Sequence, residues 1–235
     1  MKIAIVNNSG NVGKSIIANQ LLKPRIPYCE IIAVESINDD GTDNEKLKGN
    51  QFDKIIDKIF DFDNAVLDIG SSNIESFLAK MKKFKGTEDD IDLFIVPTVN
   101  EVKQIKDTIS IINQLSDMNI PKDRICVVFN KISDDDIITD CFYELFGMED
   151  NVTINEHAVI YLSELFSRLT ELNMSISDIA DDPIDYRQLA RAEKDRVKRS
   201  RLTQKYATKA LAKGVKENLD TVFSIIFPDG INNDE

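Results

Sequence analysis

The sequence predicts an α/β fold, a mostly parallel sheet with helices on both faces, followed by a helical C-terminal extension. Three observations predict it. Short runs rich in Ile and Val recur through the first 160 residues, mostly without polar alternation, as expected of strands buried on both faces. Between them lie stretches whose apolar residues recur at three- and four-residue spacing, the mark of amphipathic helices. After about residue 160 the strand signal stops and only helical patterning continues.

The expected strands are residues 2–6, 30–35, 65–68, 93–96, 125–129 and a weaker 158–160. A helix is expected over 16–22. Phe52, Ile55, Ile56 and Ile59 share one helical face, and Val102, Ile105, Ile109 and Ile112 share another. This alternation builds βαβ units, whose crossovers are right-handed and whose ligands sit at the carboxyl ends of the strands. Further on, residues 161–172 read as a helix. The acidic stretch 175–185, with Pro183, reads as a turn or hinge. Residues 186–226 read as one or two helices, with a rough apolar stripe from Leu202 to Ile226. Pro228, Gly230 and a polar end predict a frayed terminus.

Composition narrows the function classes. A hydrophobic fraction of 42% in 235 residues allows a sizeable core, and 30% charged residues suit a soluble protein. No apolar run approaches the roughly 20 residues of a membrane helix, and the opening apolar stretch is too short for a secretory signal. Cys29, Cys126 and Cys141 lack metal-ligand spacing, so a reducing, cytoplasmic setting is expected. His157, the one histidine, has nothing near it in sequence to make a catalytic triad. The net charge of −12 argues against a protein that simply coats nucleic acid. Yet residues 187–216 hold eleven basic and two acidic residues, a local +9 that leaves −21 for the rest. Such asymmetry marks a patch for an anionic partner or for the protein's own acidic body.

The strongest motif is Asn8-Ser9-Gly10-Asn11-Val12-Gly13-Lys14-Ser15, which follows the first strand and opens the first helix. That context defines a phosphate-binding loop. Gly10 and Gly13 are expected to let the backbone turn tightly and approach a phosphate, while N–H groups and the helix N-terminus supply positive potential. Ser9, Gly10, Asn11, Val12, Gly13, Lys14, Ser15 and Ile16 are therefore the expected nucleotide-binding residues. Lys14 would hold the β- and γ-phosphate charge and serve catalysis; the Ser15 hydroxyl would ligate Mg²⁺. Asp68 ends an apolar strand, where a carboxylate beside the loop could hold a Mg²⁺-bound water. Gly70 would let the next backbone N–H approach a γ-phosphate. The expected division is a nucleotide-binding core over 1–172 and a helical extension over 173–235 that carries the basic segment 187–216.

These residues carry a resemblance. The common pattern G-x-x-x-x-G-K-[ST] wants glycine where Asn8 stands, whereas K-G-G-x-G-K-[ST] lays over Ser9–Ser15 with Ser9 for the first lysine and Asn11 for a glycine. The second pattern is that of the ParA/MinD branch of P-loop ATPases, which residues 1–131 resemble. The loop 7–15, the run Leu21-Leu22-Lys23-Pro24-Arg25-Ile26 and the run Ala33-Val34-Glu35-Ser36-Ile37-Asn38 resemble the StbB-type plasmid stability proteins.

The resemblance implies a P-loop NTPase fold, ATP and Mg²⁺ as ligands, and a role in keeping or positioning plasmid DNA beside a DNA-binding partner protein. It implies that residues after the later strands surround the base, so Asn130 could read adenine; its other reading is a strand-end turn former. Asn130-Lys131-Ile132-Ser133 lacks the aspartate of the guanine-reading N-K-x-D, which favours ATP over GTP. In the switch region, Glu35 and Ile37 fall over the family's two aspartates, and Asp39 and Asp40 are the candidate catalytic carboxylates; the alternative is a solvated acidic loop. In the family the first lysine reaches across a nucleotide-dependent homodimer. Ser9 cannot supply that charge, which implies a switch with weak hydrolysis, or a nucleotide-sensing adaptor without significant turnover. The basic segment has two readings, a DNA surface centred on Arg191, Arg196, Lys198, Arg199 and Arg201, or a solvated helix face. A membrane role is not expected, because large hydrophobic residues are not concentrated opposite the basic cluster.

Overall fold

Six strands make one sheet in a computed structural model that describes residues 1–35, 47–172 and 174–231. They are β1 (Lys2–Ile5), β2 (Cys29–Val34), β3 (Asn64–Ile69), β4 (Leu93–Thr98), β5 (Ile125–Ile132) and β6 (Val159–Tyr161). The order is β2-β3-β1-β4-β5-β6, and every pairing is parallel. The central strands β1, β3, β4 and β5 are buried almost throughout, which explains their unbroken Ile/Val character.

The helices that join them are α1 (Lys14–Ile16, continued as a π-helix over Ile17–Leu22), α2 (Phe52–Phe60), α3 (Ser71–Lys83) and α4 (Val102–Ser116). The short α5 (Ile138–Cys141) and α6 (Tyr143–Phe146) lead toward β6. Ile55 and Ile59 of α2, Phe77 of α3 and Ile112 of α4 join Ala4, Leu67, Phe94 and Val127 of the strands in one buried core. Burying each of the larger of these side chains removes on the order of 1.5–3 kcal/mol of unfavourable hydration.

The connection from β1 runs to β2 on one side of the sheet, and that from β4 runs to β5 on the other. The carboxyl ends of β1 and β4 therefore flank a topological switch point, where open parallel sheets bind ligands. The loop after β1 starts there.

Two units make up the chain, Met1–Leu162 with Val222–Glu235, and Ser163–Thr221. The second unit is helical, with α7 (Leu165–Leu172), α8 (Ile176–Ala180), α9 (Tyr186–Ala192) and most of α10 (Arg196–Ile226).

The α/β class with a parallel sheet and a helical C-terminal part is as the sequence predicts. Some local expectations need correction. Tyr161 is not helical but ends β6, because the β-branched Val159-Ile160 continues the pairing with β5; Ser163 then starts α7 by accepting a hydrogen bond from Leu165 N at 3.3 Å. The stretch 175–185 is not only turn. It contains α8, nucleated by a capping box in which Ser175 and Asp178 satisfy each other's backbone N–H groups. The first helix begins at Lys14 rather than Ile16 and widens to π geometry. Strand β5 runs three residues beyond the expected 129, to Ile132.

Candidate nucleotide site

The loop between β1 and α1 is built from its polar first residue. Asn7 is fully buried. Its amide donates to the Pro97 carbonyl at the end of β4 (2.8 Å) and to Thr108 Oγ1 on α4 (2.9 Å). Its oxygen accepts from Ser9 N (2.7 Å) and so turns the chain. Ser9, 4% exposed, donates its hydroxyl to Asp107 on α4. Asn7, Thr108 and Asp107 were not among the expected residues. The signal for Asn7 is its position as the first polar residue after the apolar run of β1.

The two glycines of the loop differ in what surrounds them. Gly13 takes a left-handed backbone (φ +89), and a Cβ there would lie 2.0 Å from the Asn130 amide nitrogen, so only glycine fits. Gly10 does not need to be glycine in this conformation; a Cβ would meet only Ser71 Oγ, at 3.8 Å. The left-handed turn at the crown falls on Asn11 instead, at φ 59.

Lys14 opens α1 with its side chain folded back into the loop. The ammonium donates to the carbonyls of Asn7 (3.1 Å) and Ser9 (2.9 Å), and the residue is 8% exposed. Burial lowers its pKa to about 8, against a smaller opposing pull from the Asp68 carboxylate. Asp68, near the end of β3, is buried; burial raises its pKa, while a hydrogen bond from Ser15 and the charge of Lys14 oppose the rise and Glu35 adds to it. Ser15 and Asp68, the two expected metal residues, are therefore adjacent. A hydroxyl and a carboxylate are the hard oxygen donors that suit Mg²⁺, which takes few protein ligands and keeps several waters. Mg²⁺ bound there would neutralise phosphate charge. The loop also fits a polyphosphate, since among the described residues its buried ammonium has carbonyl dipoles and one more distant carboxylate around it.

Asn130 lies inside β5, 1% exposed, and its amide nitrogen donates to the Val12 carbonyl at 2.8 Å. Its oxygen accepts from Lys131 N at 2.9 Å. It touches the loop directly, and one of its two amide hydrogens is committed to that contact. Val12 is buried and Ile16 is half-buried. Asp39 and Asp40 lie outside the described residues.

Eight of the eleven basic residues in 187–216 fall into two sets within the second unit. Lys216 pairs with Asp181 at 2.6 Å, Lys209 donates to the carbonyls of Asp182 and Ile184, and Lys205 sits 5.4 Å above the Tyr186 ring. Arg191 on α9 and Arg196, Lys198, Arg199 and Arg201 on α10 are exposed, and none has an ion pair among the described residues. Among the described residues no helix is long and apolar enough to cross a membrane.

Solved structures share the fold. The cell division protein MinD of Aquifex aeolicus superposes with a TM-score of 0.54 over 100% of this chain and 99% of its own, at 13% identity. The same protein in its complex with MinC gives 0.56 over 100% and 98%, also at 13% identity. McdA of Cyanothece, without nucleotide, gives 0.53 over 77% and 93%, at 12% identity. The fold is the one shared by these MinD and McdA structures. At such low identity the likeness concerns the fold. No family model matches the sequence, and no curated protein matches it significantly.

Proposed function

We propose that this chain is a ParA/MinD-type ATP-binding protein, close to the StbB-type plasmid stability proteins, acting in the cytoplasm to keep or position plasmid DNA. The observation that carries the reading is the Lys14 ammonium, buried in a loop of carbonyls next to a Ser15–Asp68 pair and without a contacting counter-ion among the described residues. An anion with several charges is what such a site lacks.

In this reading Ser9 to Ile16 bind the phosphates, Asn130 helps hold the adenine end, Ser15 and Asp68 hold Mg²⁺, and Lys14 with Asp39 or Asp40 supports a slow hydrolysis. Nucleotide binding is assigned to residues 1–172 and the basic DNA-contacting segment to residues 173–235, a functional division that differs from the two compact units. The exposed Arg191, Arg196, Lys198, Arg199 and Arg201 contact DNA phosphates without sequence preference. A plasmid-encoded DNA-binding protein and a second copy of the chain, joined when nucleotide is bound, are the protein partners. The MinD structure solved with MinC supports a protein partner for this fold.

A second reading rests on Ser9. Its hydroxyl is bound to Asp107, so the place of the family's first lysine carries no cation and has a carboxylate beside it. That favours a nucleotide-sensing adaptor without significant turnover. Steady-state ATP hydrolysis with and without DNA and the neighbouring partner protein separates the two. Stimulated turnover supports the switch, tight binding without turnover supports the adaptor, and a Lys14→Ala chain with full ATP affinity and full plasmid retention would defeat both.

A further inference from the structure

Lys131 stands out of its strand. The β5–β6 pairing shifts register between Asn130 and Ile132, so Lys131 is the bulged residue. Its backbone is left-handed, φ 56, which costs a lysine about 1–2 kcal/mol. This backbone coincides with a long-range contact. The Lys131 ammonium donates to the Asn11 carbonyl at 2.7 Å, across 120 residues of sequence. Its neighbour Asn130 donates to the next carbonyl, Val12, at 2.8 Å. Two successive residues of β5 thus hold two successive carbonyls of the phosphate loop.

The consequence follows from the peptide bond. A trans peptide is planar, and its N–H points opposite to its C=O. Fixing the Asn11 carbonyl fixes the Val12 N–H, and fixing the Val12 carbonyl fixes the Gly13 N–H, both aimed away from β5. These are amides of the kind that bind phosphate oxygens. The braced carbonyl belongs to Asn11, which is left-handed without being glycine. A charge-assisted hydrogen bond to its carbonyl offsets that strain.

We propose that Lys131 is a positioning residue that clamps the crown of the phosphate loop from outside and pre-aims the Val12 and Gly13 N–H groups before nucleotide arrives. The proposal rests on the reading of this loop as a nucleotide site. It makes Lys131 a determinant of affinity for any nucleotide that fills the loop, rather than a cation for the terminal phosphate.

The test is calorimetric titration of the full chain with Mg-ADP and Mg-ATP. Lys131→Met and Lys131→Gly are each expected to weaken both nucleotides by the same factor, about five- to tenfold, the net worth of one solvent-exposed hydrogen bond. Lys131→Arg, which can still reach the carbonyl, is expected to keep most of the affinity. In an Asn11→Gly background, where the left-handed turn needs no brace, the loss from Lys131→Met shrinks. Unchanged affinity in Lys131→Met overturns the clamp, as does a loss confined to ATP. Full affinity in Lys131→Gly also overturns it and keeps the proposal testable if the Met variant fails to fold. Wild-type chain that takes up neither nucleotide overturns the underlying reading, a result distinct from all of these.

Discussion

At the scale of single residues the site is governed by charge held away from water. Lys14 has a pKa lowered to about 8, with burial as the main cause. A bound phosphate would favour the ammonium and raise that pKa again. Binding above pH 8 must therefore take up a proton, and affinity falls as pH rises past that point, by up to about tenfold per pH unit. Titrations at pH 7 and pH 9 in buffers of different ionisation enthalpy check both statements. For stability the sign is opposite. The unfolded chain binds the Lys14 proton more tightly than the folded chain between pH 8 and the ordinary lysine value of 10.5, so this residue's contribution to stability rises with pH across that window. Asn130 gives a second test. Asn130→Ala leaves the Val12 carbonyl without its donor beside the tight space over Gly13, and should cost about 1–3 kcal/mol in urea denaturation. An unchanged midpoint would show that the loop does not depend on this brace.

At the scale of elements, what could be read in advance depended on how local the cause was. The strands were legible because burial on both faces leaves an unbroken Ile/Val run, as in Val127-Val128-Phe129. Helix α3 was equally legible in principle, with Ile74, Phe77, Leu78 and Met81 buried at three- and four-residue spacing. The position of Lys14, Ser15 and Asp68 followed from motif and strand end. The parts that could not be read are long-range. The contacts of Asn7 with α4 and of Lys131 with the loop join residues about a hundred positions apart, and no periodicity encodes them. The left-handed turn at Asn11 rather than Gly10 escaped for the same reason, since Lys131 braces it from β5. For α9 and α10, two roles of basic residues separate by contact. Lys209 and Lys216 are engaged with residues 181–184, whereas Arg191, Arg196, Lys198, Arg199 and Arg201 are exposed. Replacing these five by glutamine should weaken DNA binding and flatten its log–log salt dependence by up to about four units, with no change in ATP affinity. Unaltered DNA binding in that variant, measured by anisotropy across salt concentrations, would reassign the segment to a solvated helix face.

At the scale of the whole molecule, one parallel sheet does two things. Its buried strands supply the core, and its strand order opens a crevice at the carboxyl ends of β1 and β4 where the phosphate loop begins. The loop is then braced from three elements, by Asn7 to β4 and α4, by Ser9 to α4, and by Asn130 and Lys131 from β5. Such bracing suits a site that must be formed before its ligand arrives. The sheet order puts the loop at a switch point, and the central claim is that the site takes a nucleoside triphosphate. Isothermal titration of the full chain with ATP at millimolar Mg²⁺, against a Lys14→Ala control, tests it most directly. The account predicts saturable one-site binding to the wild type, weakened at least about tenfold in the control by loss of the charge-assisted contact. No binding of adenine or guanine nucleotide to the wild type, or equal binding to both proteins, would contradict it.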